Sequence, residues 1–238
     1  MDRPVKWFSF AEGNYFPGKE PSFFDIKDKP WKQLLEDQYL VILGELQTIT
    51  GNSNKNLIPY FNETLAATPA SWTIFPLLRW GRKYKDNISK CPQTYHIINQ
   101  IPGAVSCTFS VLKPHTRIKP HLGDSNVMYR CHLTLKCEDT LPGIGMRVGD
   151  KTIGWENGKA FAFCDAHQHE VWNNTDHERW VLIVDVIREE FLPEQKKICD
   201  LVNATLWWQL KFQKRYFIKH LPRWSRNLLM RGTAVFMK

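Results

Sequence analysis

The sequence lacks three features: a C-x-x-C pair, a run of eighteen apolar residues, and any acidic residue after Asp200. Six cysteines in 238 residues are too few for a disulfide scaffold, so we expect reduced thiols. The apolar runs are too short for a membrane span, and no apolar segment of a signal peptide follows Met1. These absences predict a cytoplasmic protein, and the length suits one well-filled domain.

The missing acids after Asp200 make the positive charge local. The net charge is +8, and residues 1–200 are neutral in sum, so residues 201–238 hold all of it. Their eight Lys and Arg side chains lie among aromatic ones, namely Trp207, Trp208, Phe212, Tyr216, Phe217, Trp224 and Phe236. Cations mixed with amphipathic rings are typical of segments that contact an anionic lipid surface.

Peripheral contact of residues 206–238 with the inner face of a membrane is therefore one of two interpretations of this segment. The alternative is a C-terminal helix that packs its rings on the core and leaves its cations in water. No recognised motif accompanies the basic patch, so a nucleic-acid partner is not expected.

The spacing of apolar residues divides the chain into a helical and a β-rich part. Residues 1–30 are rich in aromatics, Gly and Pro and suggest an extended arm. Helical spacing predicts one helix over residues 31–49 and a short one over 91–100. From residue 105 the period becomes two, with frequent turns, which predicts a jelly-roll or cupin-like barrel.

The resulting fold class is mainly β with N-terminal helices. We expect an N-terminal arm with helices that pack on the core in residues 1–95, the β core in residues 96–192, and a basic, aromatic segment in residues 193–238.

Two histidines and an arginine of the β-rich part are candidate ligands for a metal and an anion. His121 and His169 are 48 residues apart in strand-like segments, and Arg179 follows ten residues later. Two imidazoles from neighbouring strands hold a first-row metal on one face and leave other positions open, and an arginine nearby can bind a carboxylate. The pattern indicates a non-haem iron oxygenase with a carboxylic acid cosubstrate. Because His167 and His169 point the same way on a strand, spacing alone does not choose between them.

Further polar residues are predicted to face the same cavity. Arg130 and His132 share one strand face, which either lines an anion-binding cavity or lies on a solvent-exposed rim, and Ser110 could add a hydroxyl to such a cavity. Arg179 begins an apolar strand and needs a carboxylate partner. For Arg179 taken alone, an internal salt bridge with Asp176, Glu178 or Asp185 is favoured over a bound ligand.

Several separate motifs resemble one family in order, spacing and identity. They are Cys91-Pro92, Ile101-Pro102-Gly103, Phe109-Ser110-Val111-Leu112-Lys113-Pro114, Ile118-Lys119-Pro120-His121-Leu122-Gly123, Arg130-Cys131-His132-Leu133, Trp155-Glu156-Asn157-Gly158-Lys159, His169-Glu170-Val171-Trp172-Asn173, Arg179 and Asp185-Val186. Over residues 72–188 the chain thus resembles the aspartyl/asparaginyl β-hydroxylases. The resemblance implies a double-stranded β-helix core and a dioxygenase that uses iron(II), 2-oxoglutarate and O2.

The resemblance also implies roles for individual residues. His121 and His169 match the two iron ligands, which selects His169 over His167. Arg179 matches the arginine that binds the far carboxylate of 2-oxoglutarate. The other residues that match contacts with this cosubstrate are Ser110, Arg130 and His132.

Two positions bear on the ligand set and the substrate. Gly123 stands two residues after His121, where most such oxygenases place an Asp or Glu ligand; the resemblance implies a subgroup with two histidine ligands, and Asp124 is not expected to bind metal. The peptide hydroxylases have an arginine two residues before the position of Arg130, where this chain has Met128.

Three functions follow from these observations. The first is hydroxylation of an Asp- or Asn-type residue or a related small molecule, which Gly123 favours. The second is hydroxylation of a lipid acyl chain at the membrane surface, which Met128 and the basic tail favour. The third is a non-catalytic, metal-binding cupin-like module, against which the complete set of His121, His169 and Arg179 argues.

Overall fold

Two antiparallel sheets form the body of the protein. The computed structural model describes residues 5–13, 15–51, 56–212 and 221–236. Within these residues the strands are β1 (Phe23–Phe24), β2 (Ile58–Pro59), β3 (Trp72–Arg79), β4 (Arg82–Lys83), β5 (Ala104–Leu112), β6 (Thr116–His121), β7 (Met128–Lys136), β8 (Ile144–Val148), β9 (Lys151–Ile153), β10 (Ala160–Phe163), β11 (His169–Asn173) and β12 (Arg179–Ile187). The major sheet has the order β1-β10-β7-β12-β5-β3-β2, with β4 paired to β3, and the minor sheet the order β6-β11-β8-β9.

Helices precede and follow the strands of the core. The α-helices among the described residues are α1 (Ser9–Glu12), α2 (Pro30–Asp37), α3 (Tyr39–Thr50), α4 (Lys85–Lys90), α5 (Pro92–Asn99), α6 (Gln195–Phe212) and α7 (Arg223–Ala234), and Glu63–Leu65 and Glu189–Glu194 are 3₁₀ helices. The mainly β architecture with N-terminal helices and a jelly-roll core, predicted from the sequence, is confirmed. The N-terminal part also contributes β1 to β4 to the major sheet.

The prediction of a single helix over residues 31–49 is wrong in one respect. The chain forms two helices, α2 and α3, that meet at Gln38, whose ψ of 11° is outside the α-helical range. The break lets each helix turn its own apolar face to the major sheet: Leu35 of α2 and Leu46 of α3 are both fully buried in the same cluster. Apolar periodicity cannot detect such a break, because the two stripes follow each other without a gap.

The alternation along the central strands separates an apolar layer from a polar one. Cys107, Phe109 and Val111 of β5 pack with the N-terminal helices in one apolar cluster. Ser106, Thr108 and Ser110 of the same strand line a cavity on the opposite face of the sheet. Successive side chains of a strand point to opposite faces, and the same alternation places Arg130 and His132 of β7 and Arg179, Ile183 and Asp185 of β12 in this cavity.

All six cysteines are buried and unpaired, as their spacing predicted. None of the helices in the described ranges has the length and apolarity to cross a bilayer.

Candidate active site

His121 and His169 are direct neighbours in the minor sheet. They end β6 and begin β11, and the antiparallel register pairs them. Their ring centroids are 4.2 Å apart. His169 is buried and His121 partly so, and both line the cavity. The structure therefore brings together the two histidines that were predicted as metal ligands.

Each imidazole is fixed by a hydrogen bond to the backbone carbonyl two residues before it. Nδ1 of His121 donates to the carbonyl of Lys119 at 2.8 Å, and Nδ1 of His169 donates to the carbonyl of His167 at 2.9 Å. A carbonyl only accepts, so Nδ1 carries the proton and Nε2 of each neutral ring keeps its lone pair. Metal-bound histidines are commonly oriented in this way, by donation from the other ring nitrogen.

The protein environment disfavours the charged form of both rings. Burial lowers the pKa of His121, and it lowers the pKa of His169 well below the usual value, with the neighbouring His121 adding to the effect. A neutral imidazole is the form that binds a metal ion.

His167 has a different environment. Its Nε2 donates to the carbonyl of Glu20 at 2.7 Å, and its ring meets Phe16 edge-on at 5.2 Å between centroids. The N-terminal arm thus occupies one ring nitrogen of His167, and His167 is not among the residues that line the cavity. Of the two candidates at this strand, His169 faces the cavity and His167 anchors the arm.

Arg130, predicted to bind an anion, already has two acid partners in the protein. Its Nε and Nη2 donate to the two carboxylate oxygens of Asp185 at 2.8 and 3.0 Å, and Nη1 donates to Asp165 at 2.5 Å. Both carboxylates are buried. Burial raises the pKa of Asp165 to about 7, although Arg130 opposes the shift. Arg130 therefore holds together the acidic side of the cavity, and its contact with a cosubstrate stays a prediction.

Arg179 is the opposite case, a buried guanidinium with no acid partner among the residues that the structure describes. It is 1 % exposed and lies over the Trp155 ring, 4.8 Å from the centroid. Its Nη2 makes a long contact of 3.4 Å to Ser110 Oγ, whereas Nε and Nη1 have no hydrogen-bond partner. Burial lowers the pKa of Arg179 to about 10, so the group is still charged at neutral pH.

The internal salt bridge considered for Arg179 does not form among the described residues. Asp185 pairs with Arg130, Asp176 pairs with His115 at 2.8 Å, and Glu178 accepts from the Trp180 indole at 2.9 Å. A buried cation without a counterion is costly in free energy. Arg179 is therefore suited to a carboxylate that comes from outside the protein.

His132 and Ser110 complete the polar part of the cavity. Burial lowers the pKa of His132 well below the usual value, with Arg179 and Arg130 adding to the effect, and its Nδ1 has no partner. Ser110 Oγ accepts from the Trp72 indole at 3.0 Å, which orients the hydroxyl. All the residues predicted for the site line one cavity of about 180 Å³, namely Ser110, His121, Arg130, His132, His169 and Arg179.

Asp165 fills the place that a side chain at position 123 would take. A Cβ on Gly123 would lie 1.6 Å from Asp165 Oδ2 and 1.9 Å from its Cγ. The carboxylate is held there by Arg130 and by the backbone N–H of Asp124 at 2.8 Å. Its Oδ1 is 3.7 Å from His169 Nε2. The acidic group beside the histidine pair thus comes from the segment before β11, and glycine at 123 makes room for it.

This contact predicts a specific cost for Gly123→Ala. The new methyl group must displace a carboxylate that is fixed on two sides, so we expect a loss of about 1–3 kcal/mol in the free energy of unfolding. Urea denaturation measures it. In an Asp165→Ala background the same substitution should cost much less, because the obstructing group is gone.

Gly44 is the matched control, since a Cβ there has no neighbour within 4 Å and the residue lies inside α3. Gly44→Ala should be neutral or stabilising by about 0.5–1 kcal/mol. Equal costs for Gly123→Ala with and without Asp165 would contradict the explanation.

Asp165 and Asp185 were not identified as site residues from the sequence. Asp165 precedes His169 by four residues in an irregular segment, where spacing gives no direction for a side chain. Asp124 lines the cavity and accepts from the Trp80 indole at 3.3 Å, and its exclusion from the metal ligands stays a prediction. No group of three or more His, Cys, Asp and Glu side chains forms a complete metal site in the described ranges.

The outer wall of the cavity is apolar and aromatic. It is formed chiefly by Ile58, Pro59, Tyr60, Phe61, Ile74, Pro76, Leu78, Trp80 and Tyr84. Arg79 also lies on this wall, with its guanidinium over the Phe61 ring at 4.6 Å. Met128 does not face the wall, because it is fully buried in the apolar cluster of Val105, Ile187 and their neighbours.

Comparison with known proteins agrees with this geometry. Residues 36–189 match the family model described as aspartyl/asparaginyl beta-hydroxylase. The ornithine lipid ester-linked acyl 2-hydroxylase of Rhizobium tropici is 31 % identical over 221 residues, which cover 87 % of this chain and 78 % of the relative.

Two mammalian relatives are more distant. The aspartyl/asparaginyl beta-hydroxylase of Homo sapiens is 27 % identical over 175 residues, 71 % of this chain and 22 % of that protein. Aspartate beta-hydroxylase domain-containing protein 2 of Mus musculus is 26 % identical over 193 residues, 77 % of this chain and 55 % of that protein. The family match covers the strands that hold both histidines and Arg179, and the chain belongs to the aspartyl/asparaginyl β-hydroxylase family of hydroxylases.

Proposed function

We propose that the protein is an iron(II)- and 2-oxoglutarate-dependent dioxygenase that hydroxylates an unactivated C–H bond. The observation that carries the proposal is the combination, in one cavity, of two imidazoles whose Nδ1 atoms donate to backbone carbonyls and a buried guanidinium that has no acid partner in the part of the chain that the structure describes. A divalent metal and a dicarboxylate are the ligands that such groups fit.

The residues divide the work of holding these ligands. His121 and His169 would hold iron(II), which supplies the activation of dioxygen and the oxidation of the C–H bond. Arg179 and Ser110 would bind the far carboxylate of 2-oxoglutarate. His132, neutral and with Nδ1 unpartnered, is in place to hydrogen-bond the same molecule. Arg130 binds both Asp165 and Asp185, and it keeps Asp165 in position beside His169.

The cavity wall favours an acyl chain as the substrate over an Asp or Asn side chain. A peptide substrate with a carboxylate or amide calls for polar partners along its path. The outer wall of the cavity presents aliphatic and aromatic side chains, and Arg79 is a cationic side chain on this wall. The relative from Rhizobium tropici is named as an acyl 2-hydroxylase of a lipid. Hydroxylation of an Asp- or Asn-type residue is the second candidate, supported by the family match.

Anaerobic addition of iron(II) and 2-oxoglutarate tests the cofactor assignment. A weak visible charge-transfer band is expected with the unmodified protein and none with the His121→Ala/His169→Ala variant. The same weak signal from both proteins, or from neither, would reject the dioxygenase and leave a non-catalytic module.

The substrate is tested separately by mass spectrometry under turnover conditions. Acyl lipids and Asp/Asn-containing peptides are offered in parallel, and products heavier by one oxygen are sought in each. Oxygenated peptide with unchanged lipid would reverse the preference stated here.

A further inference from the structure

Helix α7 presents an apolar stripe to solvent. Trp224, Leu228 and Val235 are 71 %, 66 % and 61 % exposed, and Phe236, next to Val235, is 86 % exposed. Trp224, Leu228 and Val235 are spaced by four and seven residues, so they lie on one face of a helix. Val235 continues the helical backbone, with φ −61° and ψ −30°. Adjacent exposed apolar side chains of this size mark an interaction surface.

The stripe points outward because the other side of α7 is fixed to the body of the protein. Met230 is 3 % exposed and packs in the cluster formed with α6 and the N-terminal arm. The Trp208 indole of α6 donates to Thr233 Oγ1 at 2.8 Å, and Arg223 forms an ion pair with Glu12 of α1. These contacts set the rotation of α7 about its axis.

The charge around the stripe selects the kind of partner. Residues 201–238 contain eight Lys and Arg and no Asp or Glu, whereas the rest of the chain is neutral in sum. Arg231, exposed, lies within the stripe itself, between Leu228 and Val235. Lys214, Arg215, Lys219 and Lys238 of this segment lie outside the described residues. Apolar side chains with a Trp at one end, in a segment that contains cations and no acidic residue of its own, match the interface of an anionic bilayer.

The apolar cluster that contains Met230 connects α7 with the cavity. Trp80, which lines the cavity, is buried in the cluster that seats Met230, and Phe61, also of the cavity wall, packs against it. The helix and the apolar wall of the cavity are thus joined by one continuous packing unit.

We infer that the outward face of α7, formed by Trp224, Leu228, Arg231, Val235 and Phe236, is a docking surface for an anionic lipid bilayer. The inference does not depend on the bound metal or on turnover, because it concerns a surface outside the cavity.

Vesicle sedimentation of the full chain, without iron or 2-oxoglutarate, tests this surface. The vesicles contain phosphatidylcholine alone or an equal mixture with phosphatidylglycerol. The unmodified protein should sediment with the anionic vesicles and much less with the neutral ones. Trp224→Ala/Leu228→Ala should weaken binding to anionic vesicles by about tenfold or more, since two apolar anchors are lost.

Tyr15→Ala/Leu40→Ala is the matched control, because these apolar side chains are 76 % and 73 % exposed elsewhere on the surface. It should bind as the unmodified protein does, and circular dichroism of both variants shows that they fold. Recovery of the unmodified protein in the supernatant with both vesicles would overturn the inference. Equal loss in both variants would also overturn it, as would a self-association that Trp224→Ala/Leu228→Ala abolishes without vesicle binding, or a preference for duplex DNA over anionic vesicles.

Discussion

Replacing Arg179 by methionine is expected to raise the KM for 2-oxoglutarate by about 100-fold or more while making the protein without ligand more stable. The loss follows from removal of the guanidinium proposed to bind the far carboxylate, for which ~3 kcal/mol is a typical cost in a buried site. The gain follows from removal of a buried cation with two unpartnered nitrogens. Apolar replacement of such a group is stabilising by roughly 1–2 kcal/mol.

The two effects are separated by thermal unfolding with and without 2-oxoglutarate. The Tm of the unmodified protein should rise when 2-oxoglutarate is added, by mass action. Arg179→Met should have a higher Tm than the unmodified protein without 2-oxoglutarate, and its Tm should not rise further when 2-oxoglutarate is added. Arg179→Lys keeps a charge but not the planar fork and should fall between the two in affinity. An Arg179→Met variant that binds 2-oxoglutarate normally would contradict the role proposed for this residue.

Arg130→Met is expected to have the opposite effect on stability. Its removal leaves the buried carboxylates of Asp165 and Asp185 without their cation, and breaking a buried pair in this way costs about 3–5 kcal/mol. The free energy of unfolding from urea denaturation gives the value. We expect the damage to include the Asp124 loop, because the Asp124 N–H donates to Asp165.

Arg147→Met provides the comparison for Arg130→Met. Arg147 pairs with Glu170 at 2.7 Å, but its side chain is 32 % exposed, and ion pairs near the surface contribute about 0–1 kcal/mol. Comparable losses in the two variants would mean that the buried network around Arg130 has no special importance for stability.

The two arginines show what the sequence reveals and what it does not. Alternation along β7 predicted correctly that Arg130 and His132 share a face, because the period of two is a local property of a strand. It did not show that Arg130 is neutralised inside the protein and Arg179 is not. That distinction depends on which strands are neighbours: Asp185 on β12 is the register partner of Arg130 on β7.

The histidine pair was predicted more completely than its surroundings. The resemblance to a family selected His121 and His169, and the register confirms that they are adjacent. Asp165 was not identified from the sequence because its position depends on an irregular segment that returns to the end of β6. Gly123 has no side chain, so its identity does not indicate which group occupies the space beside it. Long-range contacts of this kind are decided by the packing of the whole barrel.

The division of the cavity between two sheets has a mechanical consequence. The imidazoles belong to the minor sheet, whereas Ser110, His132 and Arg179 belong to the major sheet. A molecule that reaches from His121 and His169 to Arg179 would therefore link the two sheets. Its binding free energy would oppose separation of the two sheets. The protein with this molecule bound should therefore be more stable to unfolding than the protein without it.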